Sequence, residues 1–180
     1  MGNKKIFFLS YSKHQYKFFR FLCDNLDPES AILLTSVNCM LKGLVTKRSQ
    51  PLSRDEISRI ANYSFLKFKA RRQRNDEDFL NQIYYKFLLF KTQLLYNYYY
   101  YYIRNHDIDL VIVWNGYHVE SASCVKAARE LGTKVIFMEN GFFPRTIVMD
   151  EKGVNAANSL AGKDGRFYQK VTVDQEKLAQ

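Results

Sequence analysis

Two short apolar runs, separated by one helix-length segment, constrain the fold of this chain more than any other feature. The first run is Leu110–Trp114 and the second is Lys134–Met138. Nearly continuous apolar runs of this length are typical of strands that are buried on both faces of a parallel sheet. The segment between them, Val119–Leu131, has the pattern of a helix, and Gly132 follows it where a helix commonly ends. The region therefore predicts a strand–helix–strand unit with a right-handed crossover.

Polar residues and a glycine follow each of these strands. The first strand runs into Asn115 and Gly116, and the second runs into Glu139, Asn140 and Gly141. The carboxyl ends of parallel strands share one edge, where open α/β sheets bind ligands, so we expect Asn115 and Glu139 to point into a crevice there. Asn-Gly is also ordinary turn chemistry, and both interpretations stay open for that pair. A carboxylate directly after an apolar strand needs a partner or a function.

The first third of the chain has a compatible strand–helix pattern. Lys5–Leu9 and Ala31–Leu34 read as buried strands, and Gln15–Leu26 reads as the helix between them. Asn38–Gln50 has little pattern, so we expect a loop. The loop after the first strand, Ser10–His14, should lie at the same functional edge. It has no glycine-rich phosphate cradle, and we therefore expect no dinucleotide cofactor.

A helix is predicted from Ser53 to about Arg72, because Ser53 and Glu56 have the spacing of a capping box. The segment 67–74 holds five cations in eight residues. Cations suit the carboxyl end of a helix, so a solvated, dipole-matched end is one interpretation. A patch for an anionic lipid or glycan is the other.

A second helix, of about 25 residues, is predicted to open at Asp76 or Asp78. It ends in a run of five tyrosines, Tyr98–Tyr102. Core packing is one role for this run, and a wet surface that stacks on glycans or meets a membrane is the other. Interleaved aromatic and cationic residues could also suit single-stranded nucleic acid, but no RNA-binding signature occurs and we expect no nucleic-acid partner.

Length and composition favour one domain with a substantial core, since the chain has 180 residues and is 47% hydrophobic. We predict a Rossmann-like α/β domain over residues 1–162, with a helical insertion at about 53–104, and a truncated or linker segment over 163–180. The net charge of +9 predicts an anionic partner. The three cysteines have no CxxC spacing, so we expect no disulfide framework, no metal site and a reducing compartment. No apolar run is long enough to span a membrane.

The last third of the chain carries a motif block. After Pro144, Arg145–Met149 reads as a short strand or extended loop, and Asp150 with Gly153 makes a plausible turn. Beyond Gly162 the sequence is polar and has little pattern.

The motif block resembles the bacterial capsule polysaccharide biosynthesis family. The matching residues are Trp114-Asn115-Gly116, the run Glu139–Thr146, and Asp150-Glu151-Lys152-Gly153-Val154-Asn155. Together they lie within roughly 107–159, under a third of the chain. Members of this family include transferases that add Kdo (3-deoxy-manno-octulosonic acid) from CMP-Kdo to a glycolipid.

The resemblance implies an architecture and a set of partners. The family is similar to GT-B glycosyltransferases, in which the active site lies between two Rossmann-like domains. This chain would be the N-terminal, acceptor-side half, with the nucleotide-binding half missing or supplied by a partner. Its partners would be CMP-Kdo and a glycolipid or polysaccharide acceptor. The implied location is the cytoplasm, with a peripheral position on the inner face of the inner membrane as a further expectation.

The resemblance also implies roles for individual residues. Retaining glycosyl transfer uses carboxylates as nucleophile or acid/base, and Glu139 and Asp150 are the candidates. Some relatives carry an acidic residue directly after the glutamate, where this chain has Asn140, and that residue would be missing here if it is the nucleophile. The candidate substrate-binding residues are Asn115, Gly116, Asn140, Gly141, Arg145 and Asn155. A non-catalytic Rossmann-like module that binds an anionic glycan or lipid surface is the alternative function.

Overall fold

A five-stranded, mostly parallel sheet forms the centre of the molecule. The computed structural model describes residues 4–46, 51–72 and 79–169. The strand order is β2-β1-β3-β4-β5, in which β5 alone is antiparallel to its neighbour. The predicted Rossmann-like α/β fold is therefore confirmed. The strands are β1 Ile6–Ser10, β2 Ala31–Thr35, β3 Leu110–Trp114, β4 Lys134–Asn140 and β5 Ile147–Asp150.

Helices cover both faces of this sheet, though unequally. The described helices are α1 Lys13–Asp24, α2 Ser36–Val45, α3 Arg54–Arg72, α4 Phe79–Asn105, α5 Val119–Glu130 and α6 Gly165–Gln169, and a short 3-10 helix spans Asn155–Ala157. Alternate residues of the strands face two separate cores. Phe7 and Val111 belong to the larger core with Tyr99 of α4, whereas Phe8 and Ile112 pack with Phe19 of α1.

The prediction of a loop over Asn38–Gln50 is wrong for the described part, because α2 occupies it up to Val45; residues 47–50 lie outside the described residues. The buried face of α2 consists of Ser36, Cys39 and Gly43, which have helical spacing. A glycine and a small thiol give a weak hydrophobic pattern. At Gly43 an added Cβ would lie 2.5 Å from the backbone oxygen of Leu94, so α2 packs closely against α4 at this position.

The two predicted insertion helices are present between β2 and β3. Ser53 and Glu56 form the predicted capping box: the Glu56 amide donates to Ser53 Oγ at 3.3 Å, and the Ser53 amide donates to Glu56 Oε2 at 3.0 Å. The start of the second helix that we predicted at Asp76 or Asp78 falls outside the described residues. Its described part is one continuous helix of 27 residues.

The tyrosine run at the end of α4 mainly packs in the core. Tyr98 and Tyr99 are buried, with 4% and 0% of their surface exposed. Tyr100 and Tyr102 are partly buried against the same core, and Tyr101 is the exposed member at 46%. The packing interpretation is thus confirmed for most of the run.

The remaining predictions near the carboxyl end hold with two changes. Gly132 ends α5 with a positive φ of 70°, as its position predicted. The extended segment after Pro144 is a strand shifted to Ile147–Asp150, and it pairs with β4 through Asn140 and Ile147. The segment after Gly162, expected to lack pattern, contains the short helix α6.

Candidate active site

The loop after β3 lies close to the end of β4 because of its backbone conformation. Asn115 and Gly116 both have positive φ angles, 58° and 83°. A Cβ on Gly116 would lie 2.5 Å from the ring of Phe137 on β4, so only glycine fits there. The Asn115 amide donates to the carbonyl of Met138 at 2.8 Å. The two predicted loop ends are therefore joined at one edge of the sheet.

Glu139 is the carboxylate at the centre of this edge. Its Oε1 accepts from Trp114 Nε1 at 3.1 Å, and its Oε2 accepts from Asn115 Nδ2 at 3.2 Å. The side-chain oxygen of Asn115 accepts from the Tyr117 amide at 3.0 Å, which fixes the orientation of the amide group. Glu139 is half-buried. An oriented, accessible carboxylate of this kind can act as a general acid/base or as a nucleophile.

Asp150, the second predicted carboxylate, holds a turn. Its Oδ1 accepts from the amides of Lys152 and Gly153 at 2.7 and 3.2 Å. Its Oδ2 accepts from the amide and hydroxyl of Ser159 at 2.9 and 2.5 Å. Burial opposes ionisation of Asp150, but the hydrogen bonds from Ser159, Lys152 and Gly153 outweigh it and lower the pKa to about 2. The predicted turn is confirmed, and a catalytic role for Asp150 stays a prediction.

The segment from the end of β4 to the start of β5 carries three further predicted residues: Asn140, Gly141 and Arg145. Gly141 is required there, because an added Cβ would lie 2.0 Å from Thr146 Oγ1. Arg145 is exposed and has a positive φ of 63°. Asn140 is exposed at the end of β4. This loop and Phe18 of α1 line an open cavity of about 470 Å³, in which Phe142 and Phe143 are 91% and 76% exposed.

Asn155 belongs to a turn that is tied to the β3 loop. The hydroxyl of Tyr117 donates to the carbonyl of Val154 at 3.2 Å, and Val154 is fully buried. Asn155 itself is exposed, has a φ of 55° and begins the 3-10 helix. The turn that carries Asn155 thus contacts the β3 loop, whereas Asn140 and Arg145 line the cavity with Phe18 of α1.

Tyr11 and His118 line the same edge, although the sequence did not single them out. The strand order reverses between β1 and β3, so a crevice opens between the loops that follow them. Tyr11 donates its hydroxyl to the carbonyl of Trp114 at 3.4 Å, and its ring centroid is 5.3 Å from that of His118. The position of Ser10–His14 was the available signal for Tyr11. No sequence signal pointed to His118, because the residues that contact it, Tyr11, Tyr63 and Lys67, are distant in sequence.

Electrostatics also connect Tyr11 with Glu139. Burial raises the pKa of Tyr11 to about 12; a hydrogen bond with Gln15 opposes that rise, and the negative charges of Glu120 and Glu139 add to it. The Tyr11 hydroxyl therefore stays protonated at neutral pH. It can donate hydrogen bonds near Glu139 but cannot act as a base.

Comparison with known proteins gives one partial similarity. The chain is 36% identical over 72 residues to protein FixF of Sinorhizobium fredii, which covers 39% of this chain and 17% of FixF. The chain thus matches less than a fifth of that relative's length. No protein-family profile and no solved structure matches the chain.

The described ranges are residues 4–46, 51–72 and 79–169. No helix within these ranges is long and apolar enough to cross a membrane. The same ranges contain no group of three or more His, Cys, Asp or Glu side chains that could hold a metal ion.

Proposed function

We propose that this chain is the acceptor-side half of a glycosyltransferase of capsule or lipopolysaccharide biosynthesis. The observation that carries the proposal is the position of Glu139 at the carboxyl edge of a Rossmann-like sheet, held by Trp114 and Asn115. All three residues belong to the motif block on which the family resemblance rests. The donor would be CMP-Kdo, and the acceptor a glycolipid or polysaccharide on the inner face of the inner membrane.

The residues support a division of roles within this reaction. Glu139 would act as acid/base or nucleophile, since its carboxylate is oriented and accessible. Asn115 and Asn155 would hold substrate hydroxyls, and Arg145 would meet a carboxylate or phosphate, for which its planar fork is suited. Gly116, Gly141 and Asn140 would shape the surface on which the substrate lies. Asp150 would orient the loop that carries Asn155.

A complete GT-B cleft needs a second domain, supplied by a longer chain or by a partner, so the proposal concerns the assembled enzyme. The nucleotide would bind to the other domain, and this edge would receive the acceptor. The two parts would act together, because the reacting atoms lie between them.

The test is Glu139→Gln, introduced into the native gene in its own cells. The substitution retains an oxygen that can accept from Trp114 or Asn115 but removes the charge and the proton-transfer function. We expect Kdo transfer to fall at least about 100-fold, the usual range for loss of an acid/base group. Mass spectrometry of extracted surface polysaccharide measures the incorporated Kdo.

Glu29→Gln is the matched control, because Glu29 is exposed just before β2, at the opposite edge of the sheet. It should leave Kdo incorporation unchanged. Thermal unfolding of both purified variants checks that the fold survives. Normal incorporation by a folded Glu139→Gln protein would contradict the proposed site.

A specific observation favours the second candidate, a non-catalytic module that binds an anionic glycan or lipid surface. The last turn of α3 carries Lys69, Arg71 and Arg72. Such a module would bind its ligand equally well with Glu139→Gln, whereas a transferase with that substitution would bind but not turn over.

A further inference from the structure

A second pocket lies beside His118, and neither the motif block nor the proposed transferase reaction involves it. It has a volume of about 210 Å³. The ends of α3 and α5 and the middle of α4 form its walls. The polar side chains that line it are Lys67, Arg71, Lys91, His118, Glu120 and the hydroxyl-bearing Ser64 and Tyr84.

The charges of this pocket do not balance. Lys91 pairs with Glu120, with Nζ and Oε1 2.6 Å apart and both side chains less than one-fifth exposed. Within the described part of the chain, Lys67 and Arg71 form no ion pair. Among the described residues that line the pocket, three cations and one carboxylate leave an excess of two positive charges.

In its contact with His118, the Lys67 ammonium group donates to a neutral acceptor and not to an anion. Lys67 is half-buried, and its Nζ lies 3.1 Å from His118 Nε2. An ammonium group has no acceptor, so it donates and His118 must be neutral with its proton on Nδ1. A half-buried ammonium that donates to a neutral ring instead of a carboxylate has an unmet preference for an anion.

The surroundings of His118 explain why it is neutral. Burial lowers the pKa of His118, and the positive charge of Lys67 lowers it further; Arg71 and Lys91 also lower it, and Glu120 opposes them. The ring is also packed between two tyrosine rings, with centroids 5.3 Å away on each side. The groups that face His118 from the elements around it are Tyr11 from the β1 loop, Tyr63, Lys67 and Arg71 from α3, Lys91 from α4, and Glu120 from α5.

We infer that this pocket binds a phosphomonoester group through Lys67, Arg71 and His118. A phosphate dianion matches the excess of two charges, whereas a carboxylate would neutralise only one. Arginine and lysine both bind phosphate oxygens with charge-assisted hydrogen bonds, and the guanidinium fork can contact two oxygens at once. The inference is independent of the proposed transferase activity, because it requires only binding.

The test measures binding of inorganic phosphate to the purified chain by calorimetry. Lys67→Gln and Arg71→Gln should each weaken binding at least about tenfold, since each removes a charged contact to the anion. Lys86→Gln is the matched control: it removes the same charge from an exposed position on α4, outside the pocket. The control should bind phosphate as the wild type does.

Titration of the His118 ring by NMR gives an independent readout. A bound dianion beside the ring stabilises the imidazolium, so phosphate should raise the pKa of His118. Phosphate binding without a change at His118 would place the anion elsewhere and overturn the inference. Equal weakening by Lys86→Gln, or acetate bound as tightly as phosphate, would do the same.

Competition identifies the source of the phosphate group. Glucose 1-phosphate represents a soluble sugar phosphate, and vesicles containing phosphatidic acid represent a lipid phosphate. Displacement of inorganic phosphate by one of them identifies the ligand class. The same competitor should bind the Lys67→Gln variant more weakly, which assigns its binding to this pocket. If neither glucose 1-phosphate nor the vesicles displaced inorganic phosphate, the inference that the site recognises phosphomonoesters would be overturned.

Discussion

At the scale of single residues, the two predicted carboxylates have different environments. Glu139 accepts side-chain hydrogen bonds from Trp114 and Asn115 and one from the backbone amide of Asn140. Asp150 accepts from three backbone amides, those of Lys152, Gly153 and Ser159, which together occupy both of its oxygens. A carboxylate whose lone pairs are occupied by backbone donors is a poor nucleophile. The geometry therefore favours Glu139 for chemistry and Asp150 for holding the loop that follows β5.

Asp150→Asn should destabilise the fold by about 1–3 kcal/mol at neutral pH, because it disrupts hydrogen bonds to an ionised acceptor. Asp150 has a folded pKa of about 2, below the unfolded value of about 3.9. Its stabilisation is therefore present above about pH 4 and is lost as pH falls toward about 2. Urea unfolding of the wild type and the variant at several pH values measures the difference.

Asp55→Asn serves as the control for this prediction. Asp55 is exposed in the first turn of α3, so its loss should cost less than about 1 kcal/mol. A stability difference for Asp150→Asn that persists unchanged at about pH 2 would contradict the assigned cause.

At the scale of elements, the helices between β2 and β3 build the second side of the crevice. Helix α3 brings Tyr63 to within 5.3 Å of the His118 ring, and its Ser64 hydroxyl accepts from the Val119 amide at 3.0 Å. The α3–α5 contact is reinforced by Lys126, whose Nζ lies 2.5 Å from Glu56 Oε1 and 2.8 Å from Glu130 Oε1. The insertion therefore contributes directly to the edge where ligands are expected.

Helix α2 depends on close contact with α4, which Gly43→Ala tests. Alanine is favoured over glycine within a helix by about 1 kcal/mol. Here its Cβ would lie 2.5 Å from a backbone oxygen that cannot move alone, and overpacking of this kind costs about 1–3 kcal/mol. We expect a net loss of stability, measured as a lower midpoint of thermal unfolding.

Gly165→Ala is the matched comparison, because no heavy atom lies within 4 Å of its added Cβ. It should be neutral or slightly stabilising. A Gly43→Ala protein as stable as the wild type would mean that α2 packs less closely on α4 than the structure indicates.

At the scale of the whole molecule, the net charge of +9 is not spread evenly. The last turn of α3 carries Lys69, Arg71 and Arg72, and Arg71 together with Lys67 also lines the adjoining pocket. Both features lie on the side of the molecule that carries the crevice. A positive field at this edge would attract an acidic sugar, a phosphate or an anionic membrane surface.

Binding to vesicles tests this surface charge. We expect the chain to bind vesicles of phosphatidylglycerol and phosphatidylcholine, and to lose that binding between roughly 50 mM and 500 mM salt. Removal of two charges at Arg71 and Arg72 should weaken binding more than removal of two at Lys4 and Lys134, which are exposed at the amino ends of β1 and β4. Sedimentation with vesicles measures the bound fraction, and equal binding at low and high salt would exclude an electrostatic origin.

Much of the fold could be predicted from the sequence, because the relevant signals are local. A strand buried on both faces must be apolar, so β1 to β4 were visible as short hydrophobic runs. The capping box at Ser53 and the turn at Asp150 were also visible, since each is made within a few residues. Helix α2 was missed because its buried face uses a glycine and a small thiol, whose fit depends on α4.

The sequence by itself determined the parallel sheet and the polar residues that follow the strands at its carboxyl edge. Only the tertiary structure decided which side chains meet there. It joined Glu139 to Trp114, and it brought Lys67, Tyr11 and His118 together from three distant segments. The physical reason is that periodicity reports which face of an element is buried, whereas the partner across that face depends on strand order and helix packing.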